Sequence, residues 1–261
     1  MLRDSKVLKT AVVLIYMALL APIVVVVGVS FNPSSSYSVD LHGISLRWYR
    51  AFFASSAFTD SLFMVSLPVA LASSILATFL GTLAAIAIVR FRFVAREAVE
   101  AAFMLPLLIP SVLLGAALYL FFARLNMSGS FAAIIIGHML IGVPYVIRVT
   151  AAGLVGINPA IEEAAINLGC SPAIAFIKVV LPLLRSSLFS GAIFSFIVSF
   201  SDINVAIFLA GPRTTTLPLH IFSEIQWQGE PTIAAASTIQ IILVTLMILA
   251  VQKFFRIRLA F

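Results

Sequence analysis

Apolar residues in this chain fall in long runs cut by short polar stretches, rather than in the alternation of a half-buried strand or the stripe of a soluble helix. Six runs reach the roughly 20 residues that a helix needs to cross a bilayer: 11–31, 61–89, 99–123, 131–147, 187–211 and 232–252. The pattern predicts an all-α polytopic membrane protein with six transmembrane helices, organised as a single domain over residues 1–261. A polar interruption between runs, 158–182, has helix signals of its own and predicts a folded loop.

Composition agrees with that reading. Hydrophobic residues make up 62% of the 261, charged residues 10%, and mean hydropathy is +1.17, too little polar surface for a water-soluble core of this length. The first run follows Arg3, Lys6 and Lys9 and is long for a signal peptide, with no small-residue cleavage site before Phe31-Asn32-Pro33, so it reads as a retained helix. A single cysteine, Cys170, and scattered His42, His138 and His220 point to no disulfide, metal or other cofactor.

The net charge of +6 reflects topology rather than nucleic-acid binding. With the amino terminus inside, the inner loops and tails carry Arg3, Lys6, Lys9, Arg90, Arg92, Arg96, Arg148, Lys178, Arg185, Lys253, Arg256 and Arg258, against Arg47, Arg50, Arg124 and Arg213 outside. Twelve against four is a positive-inside bias, which puts both termini and the 158–182 loop in the cytoplasm. The outer stretch 32–60 holds Ser34-Ser35-Ser36, Trp48 and Tyr49, suggesting aromatic anchors at the membrane surface, and 212–231 has the apolar residues for a short amphipathic helix.

Within the cytoplasmic loop, Asn158 is a helix cap and Pro159 suits the first helical position. Glu162 and Glu163 fall where carboxylates complement the helix dipole, and Gly169 supplies a left-handed stop. Ser171-Pro172 starts a second short helix, expected over 173–180 and ended by Leu181-Pro182. Ile161, Ala165 and Leu168 share one face of the first helix, while Ala164 and Ala165 are small enough to enter a partner's groove. An ordinary amphipathic interfacial loop is the alternative.

Glu163-Ala164-Ala165, Gly169 and Val179-Val180-Leu181-Pro182 resemble the cytoplasmic EAA signature of binding-protein-dependent ABC importer permeases, with Val179 where that family has Ile. The six runs, the loop before the fifth, Gly191 early in the fifth and Gly211-Pro212 at its end are also similar to that family. Ser199-Phe200-Ser201-Asp202, Leu209-Ala210-Gly211-Pro212 and Thr214-Thr215-Thr216-Leu217-Pro218 resemble its spermidine/putrescine branch.

The resemblance implies a type I importer permease in a bacterial inner membrane, without ATPase chemistry of its own. The chain accordingly lacks a G-x-x-x-x-G-K-[ST] phosphate loop. Implied partners are an ATPase subunit dimer, a second, related permease subunit, a periplasmic solute-binding protein and the lipid bilayer. Glu163, Ala164, Ala165 and Gly169 are the implied ATPase-coupling residues, and the implied solute is a polyamine or a related small nitrogenous compound.

Asp202 is the only acidic residue well inside an expected span, which makes it a candidate for the substrate path. The alternative is a structural role at an interrupted helix, satisfied by Ser199, Ser201 or Asn204, or a contact between subunits. His138 reads as a packed interhelical hydrogen-bonder, and Pro68, Pro106, Pro110 and Pro144 as kinks. Glu224, Trp227 and Glu230 are candidates for contact with a binding protein. An ion-gradient-driven secondary transporter would need more intramembrane ionisable groups, and a membrane enzyme a cluster of catalytic groups.

Overall fold

A computed structural model describes residues 6–34, 43–227 and 229–255, and every regular element among them is helical. Arg3, Ser35, Ser36, His42, Arg256 and Arg258 lie outside the described residues. Of these residues, those in Met1–Asp60 and His220–Leu243 form one compact unit, and those in Ser61–Leu219 and Val244–Phe261 form another.

In the first unit, α1 (Lys6–Ser30) is apolar on every face and almost wholly exposed. Its carboxyl end is tied to the helix that follows. The hydroxyl of Ser30 lies 2.8 Å from that of Tyr49, and the indole of Trp48 donates to the Asn32 carbonyl at 2.8 Å. Both aromatics belong to α2 (Arg47–Ala54). Trp48 is buried, so these rings fasten α2 to the end of α1. A short α3 (Ser56–Asp60) follows.

The second unit starts with a π-helical turn, Ser61–Ser66, that leads into α4 (Leu67–Arg90). Pro68, in the first turn of α4, has no N–H to give to the carbonyl four residues back, and the widened turn re-registers the hydrogen bonds ahead of it. The expected third span is broken. α5 (Arg96–Leu108) and α6 (Ser111–Arg124) meet at a bend of 105°. The cause is Pro110, which cannot donate to the preceding turn and drives Ile109 out of the helical region, to ψ 132°.

α7 (Phe131–Val155) begins at Ser130, whose side chain accepts from the Ala133 N–H, and continues two turns past its expected end at 147. α8 (Pro159–Asn167) and α9 (Pro172–Ala175) follow. A second π-helical turn, Phe176–Val180, then passes directly into α10 (Leu181–Ser201). Leu181-Pro182 therefore does not end a helix. Pro182 is carried at the amino end of α10, where the π turn absorbs its missing donor in the way Pro68 is absorbed. The fifth span is Pro172–Ser201, earlier than expected, because the chain turns extended at Asp202 (ψ 134°). After it come α11 (Ala206–Leu209), α12 (Leu217–Trp227) and α13 (Thr232–Phe255). Among the described residues, five helices are long and apolar enough to cross a membrane, or six if the bent pair counts as one span.

The core of the second unit is α7 packed on α4 and α10. One apolar cluster joins Ala85, Ile88, Val146, Leu154, Val180 and Leu184; another joins Val69, Phe122, Ile134, Val205 and Leu209. Small residues set the spacing. A Cβ on Gly142 would occupy the position of Ser195 Oγ, one on Gly153 that of Ser187 Oγ, and one on Gly191 would come 3.3 Å from Val146 Cα. Ser73 Oγ donates to the Ile135 carbonyl at 3.1 Å, tying α4 to α7. Gly142→Val is expected to lower stability by about 1–3 kcal/mol, read as a lower melting temperature in detergent. Gly156→Ala, whose Cβ would meet nothing nearer than 3.5 Å, should melt like the native chain.

Candidate functional site

Two constellations are mounted on the three-helix core, one at each end of α10. The first is the hairpin between α7 and α10. Asn158 Oδ1 accepts from the Ala160 N–H at 3.0 Å, and Ser171 Oγ from the Ile174 N–H at 3.4 Å, so both expected caps form. Gly169 has φ +94°. Its N–H bonds to the Ile166 carbonyl at 2.9 Å, and that of Cys170 to the Ala165 carbonyl at 3.1 Å. This pair of bonds is the Schellman ending that a glycine permits.

Among the described residues, most of the apolar face of α8 is left uncovered. Leu168 is 88% exposed and Ile161 45%; Ala165 is half-buried, while Glu163 and Ala164 are exposed. Across the hairpin, Ile174 and Ile177 are exposed as well. Glu163 has no ion-pair partner among the described residues.

Its neighbour Glu162 faces the core instead. Arg90 Nη1, at the carboxyl end of α4, lies 2.7 Å from Glu162 Oε2 and donates to Oε1 at 2.9 Å. The same guanidinium stands 5.1 Å from the centre of the Phe176 ring. This pairing escapes sequence reading, since nothing in the pattern selects Arg90 over Arg92 or Arg96. The one available signal was that Arg90 closes an apolar run on the same expected side as Glu162.

The second constellation surrounds Asp202. The residue stands just beyond α10 rather than inside a span, and its Oδ2 accepts from the N–H groups of Val205 and Ala206 at 2.9 and 3.0 Å. It thereby caps the turn that leads into α11. His138, fully buried in α7, places Nε2 3.6 Å from the same oxygen. Its Nδ1 lies 2.8 Å from Ser199 Oγ, the interhelical bond expected of it. Of the partners expected for Asp202, Ser199 is engaged with His138, and Ser201 Oγ donates to the Ile197 carbonyl.

A cavity of about 430 Å³ opens beside the carboxylate, lined among others by Pro106, Leu108, Pro110, Ser111 and Tyr145. The end of α5 brings its last carbonyls there, the negative pole of a helix. The lining thus sets the Asp202 carboxylate among a phenol ring, a serine and apolar side chains.

In the first unit, His220 on α12 has its ring 4.6 Å from that of Phe58 and its Nε2 4.0 Å from Glu224 Oε1. Burial pushes this imidazole below its usual range, against the upward pull of Glu224. Trp227 is 84% exposed.

Residues 77–260 match the family model described as binding-protein-dependent transport system inner membrane component. The spermidine/putrescine transport system permease protein PotC of Haemophilus influenzae is 31% identical over 229 residues, 88% of this chain and 88% of that protein. The putrescine transport system permease protein PotI of Escherichia coli is 34% identical over 230 residues, 85% of this chain and 80% of that one. Among solved structures, a bacterial alginate ABC transporter in complex with a periplasmic protein bound to alginate pentasaccharide has a similar chain. Its TM-score is 0.74 at 16% identity, covering 96% of this chain and 92% of that one, which is a likeness of fold.

Capping and charge at position 202 can be separated. Asp202→Ala removes the acceptor of two N–H groups and should cost about 0.5–2 kcal/mol, measured as a lower melting temperature in detergent. Asp202→Asn keeps an acceptor oxygen and should stay near the native value.

Proposed function

Because the chain belongs to the binding-protein-dependent transport system inner membrane components, the permease subunits of ABC importers, we propose that it moves a polyamine from periplasm to cytoplasm by alternating access. It is a multi-pass inner-membrane transport subunit and not an enzyme; ATP hydrolysis falls to a separate subunit. Membership of this family sets aside the ion-gradient-driven alternative.

The observation that carries the proposal is the hairpin: a capped, glycine-terminated helix whose small and apolar residues are left largely uncovered by the described residues of its own chain. In this reading the hairpin is cytoplasmic, as are both termini. An ATPase dimer receives α8 in a surface cleft, with Glu163 meeting a basic or hydrogen-bonding group and Ala164 and Ala165 allowing close approach. A second permease subunit completes the conduit, and a periplasmic binding protein delivers the solute. Closing of the ATPases on ATP then biases one of two arrangements of the helices.

The choice of polyamine rests on the names of the two relatives and on the chemistry around Asp202. A carboxylate beside the last carbonyls of a helix attracts an ammonium group without needing a full ion pair at every step. Another small nitrogenous solute is the second reading, since the Asp202 cavity suits amines as a class.

Uptake of radiolabelled putrescine and spermidine, in cells carrying the whole transporter at matched membrane levels, tests this reading. The native chain should take up polyamine, and Asp202→Asn should reduce that uptake. Glu163→Ala and Gly169→Asp should each lower it by about tenfold or more. For Gly169→Asp the cause is the positive φ, since a new Cβ would meet no atom within 4 Å; the turn is strained while the protein still inserts. Absence of polyamine uptake by the native transporter would overturn the choice of solute, and normal uptake by a stably inserted Gly169→Asp chain would overturn the role of the hairpin.

A further inference from the structure

The role of α8 as coupling helix leaves open how its displacement reaches the transmembrane core. The covalent routes run backward through 156–158 into α7 and forward through α9 and the π turn into α10. α4, which packs against both, has no covalent link to the hairpin. Its one charged contact with the hairpin among the described residues is Arg90.

We propose that Arg90 is a positioning residue that clamps the coupling helix to the end of α4, so that α8 and the core move as one body. The proposal rests on the transport reading above. Arg90 is the last residue of α4 and Glu162 lies in the first turn of α8. Each charge therefore complements the dipole of its own helix while meeting the other. One guanidinium nitrogen bridges both carboxylate oxygens, at 2.7 and 2.9 Å. The guanidinium also stands over the ring of Phe176, the first residue of the π turn that feeds α10.

One side chain thus touches both arms of the hairpin from a third helix. The side chains of Arg90 and Glu162 are 27% and 18% exposed, so solvent screens the pair only in part. Phe176 packs in turn on the cluster containing Ile88, Val180 and Leu184, which anchors the ring in the core. Glu163, one residue on, is left to the ATPase. Adjacent carboxylates in one helical turn therefore divide the work, one holding the core and the other the partner.

The test uses the assembled transporter in proteoliposomes, with Arg90→Ala, Glu162→Gln and the double substitution. Two quantities are read: labelled putrescine taken up per ATP hydrolysed, and the mobility of a nitroxide on Cys170, the chain's only cysteine, with partner subunits made cysteine-free. Each single substitution should lower uptake per ATP by about threefold or more and loosen the label, with ATPase co-purification unchanged. The double should be no worse than Arg90→Ala alone, because Glu162→Gln removes a contact that Arg90→Ala has already removed.

Losses that add in the double substitution, or native uptake per ATP in both singles, would overturn the clamp. If the native transporter moves no putrescine, the solute assignment fails while the clamp is still decided by the label: unchanged mobility in both singles overturns it, and gains in both singles with a double no looser than Arg90→Ala sustain it.

Discussion

The close approach of α7 to α4 and α10 is the constraint on which the rest of the second unit depends. In a membrane, burying apolar surface against another helix gains little over burying it in lipid, so association rests on how closely helices can pack. Gly142 and Gly153 meet serine side chains of α10 where no Cβ would fit, and Gly191 meets the backbone of α7. The hairpin hangs between α7 and α10, and Asp202 lies at the far end of α10. Both constellations are therefore held by the same three helices, which gives a displacement at one end a mechanical route to the other.

Proline shapes what the glycines hold. Pro68 and Pro182 each follow a π turn and are absorbed without breaking their helices, whereas Pro110 breaks one and produces the 105° bend. The difference lies in the neighbouring turn: a widened turn re-registers the hydrogen bonds, but at Ile109 the chain leaves the helical region altogether. That break brings the end of α5 to Asp202 and creates the cavity beside it. Backbone irregularity inside a membrane protein is tolerated where it lines a cavity or is buried, and here it does the former.

The local chemistry of the hairpin was legible in the sequence. Asn158, Ser171 and Gly169 each signal their own geometry within four residues, and each adopts it. The number of apolar runs likewise marked the fold class. Hydropathy could not show the bend at 108–111, because a run of apolar residues reads the same whether straight or folded over. Nor could it show that the fifth helix begins at the hairpin and stops before Asp202, since Ile203–Gly211 is as apolar as the helix before it. Arg90–Glu162 and His138–Asp202 join residues more than 60 positions apart, and no local pattern encodes such pairs.

The central claim is that α8 presents Glu163 to an ATPase on the cytoplasmic side, and labelling of a thiol at that position tests it most directly. In a Cys170→Ser background, Glu163→Cys would be exposed to a membrane-impermeant maleimide in sealed right-side-out and inside-out vesicles, with and without the ATPase subunits. The account predicts labelling only in inside-out vesicles, suppressed when the ATPase is bound. Labelling from the outer face, or equal labelling with and without the ATPase, would contradict it.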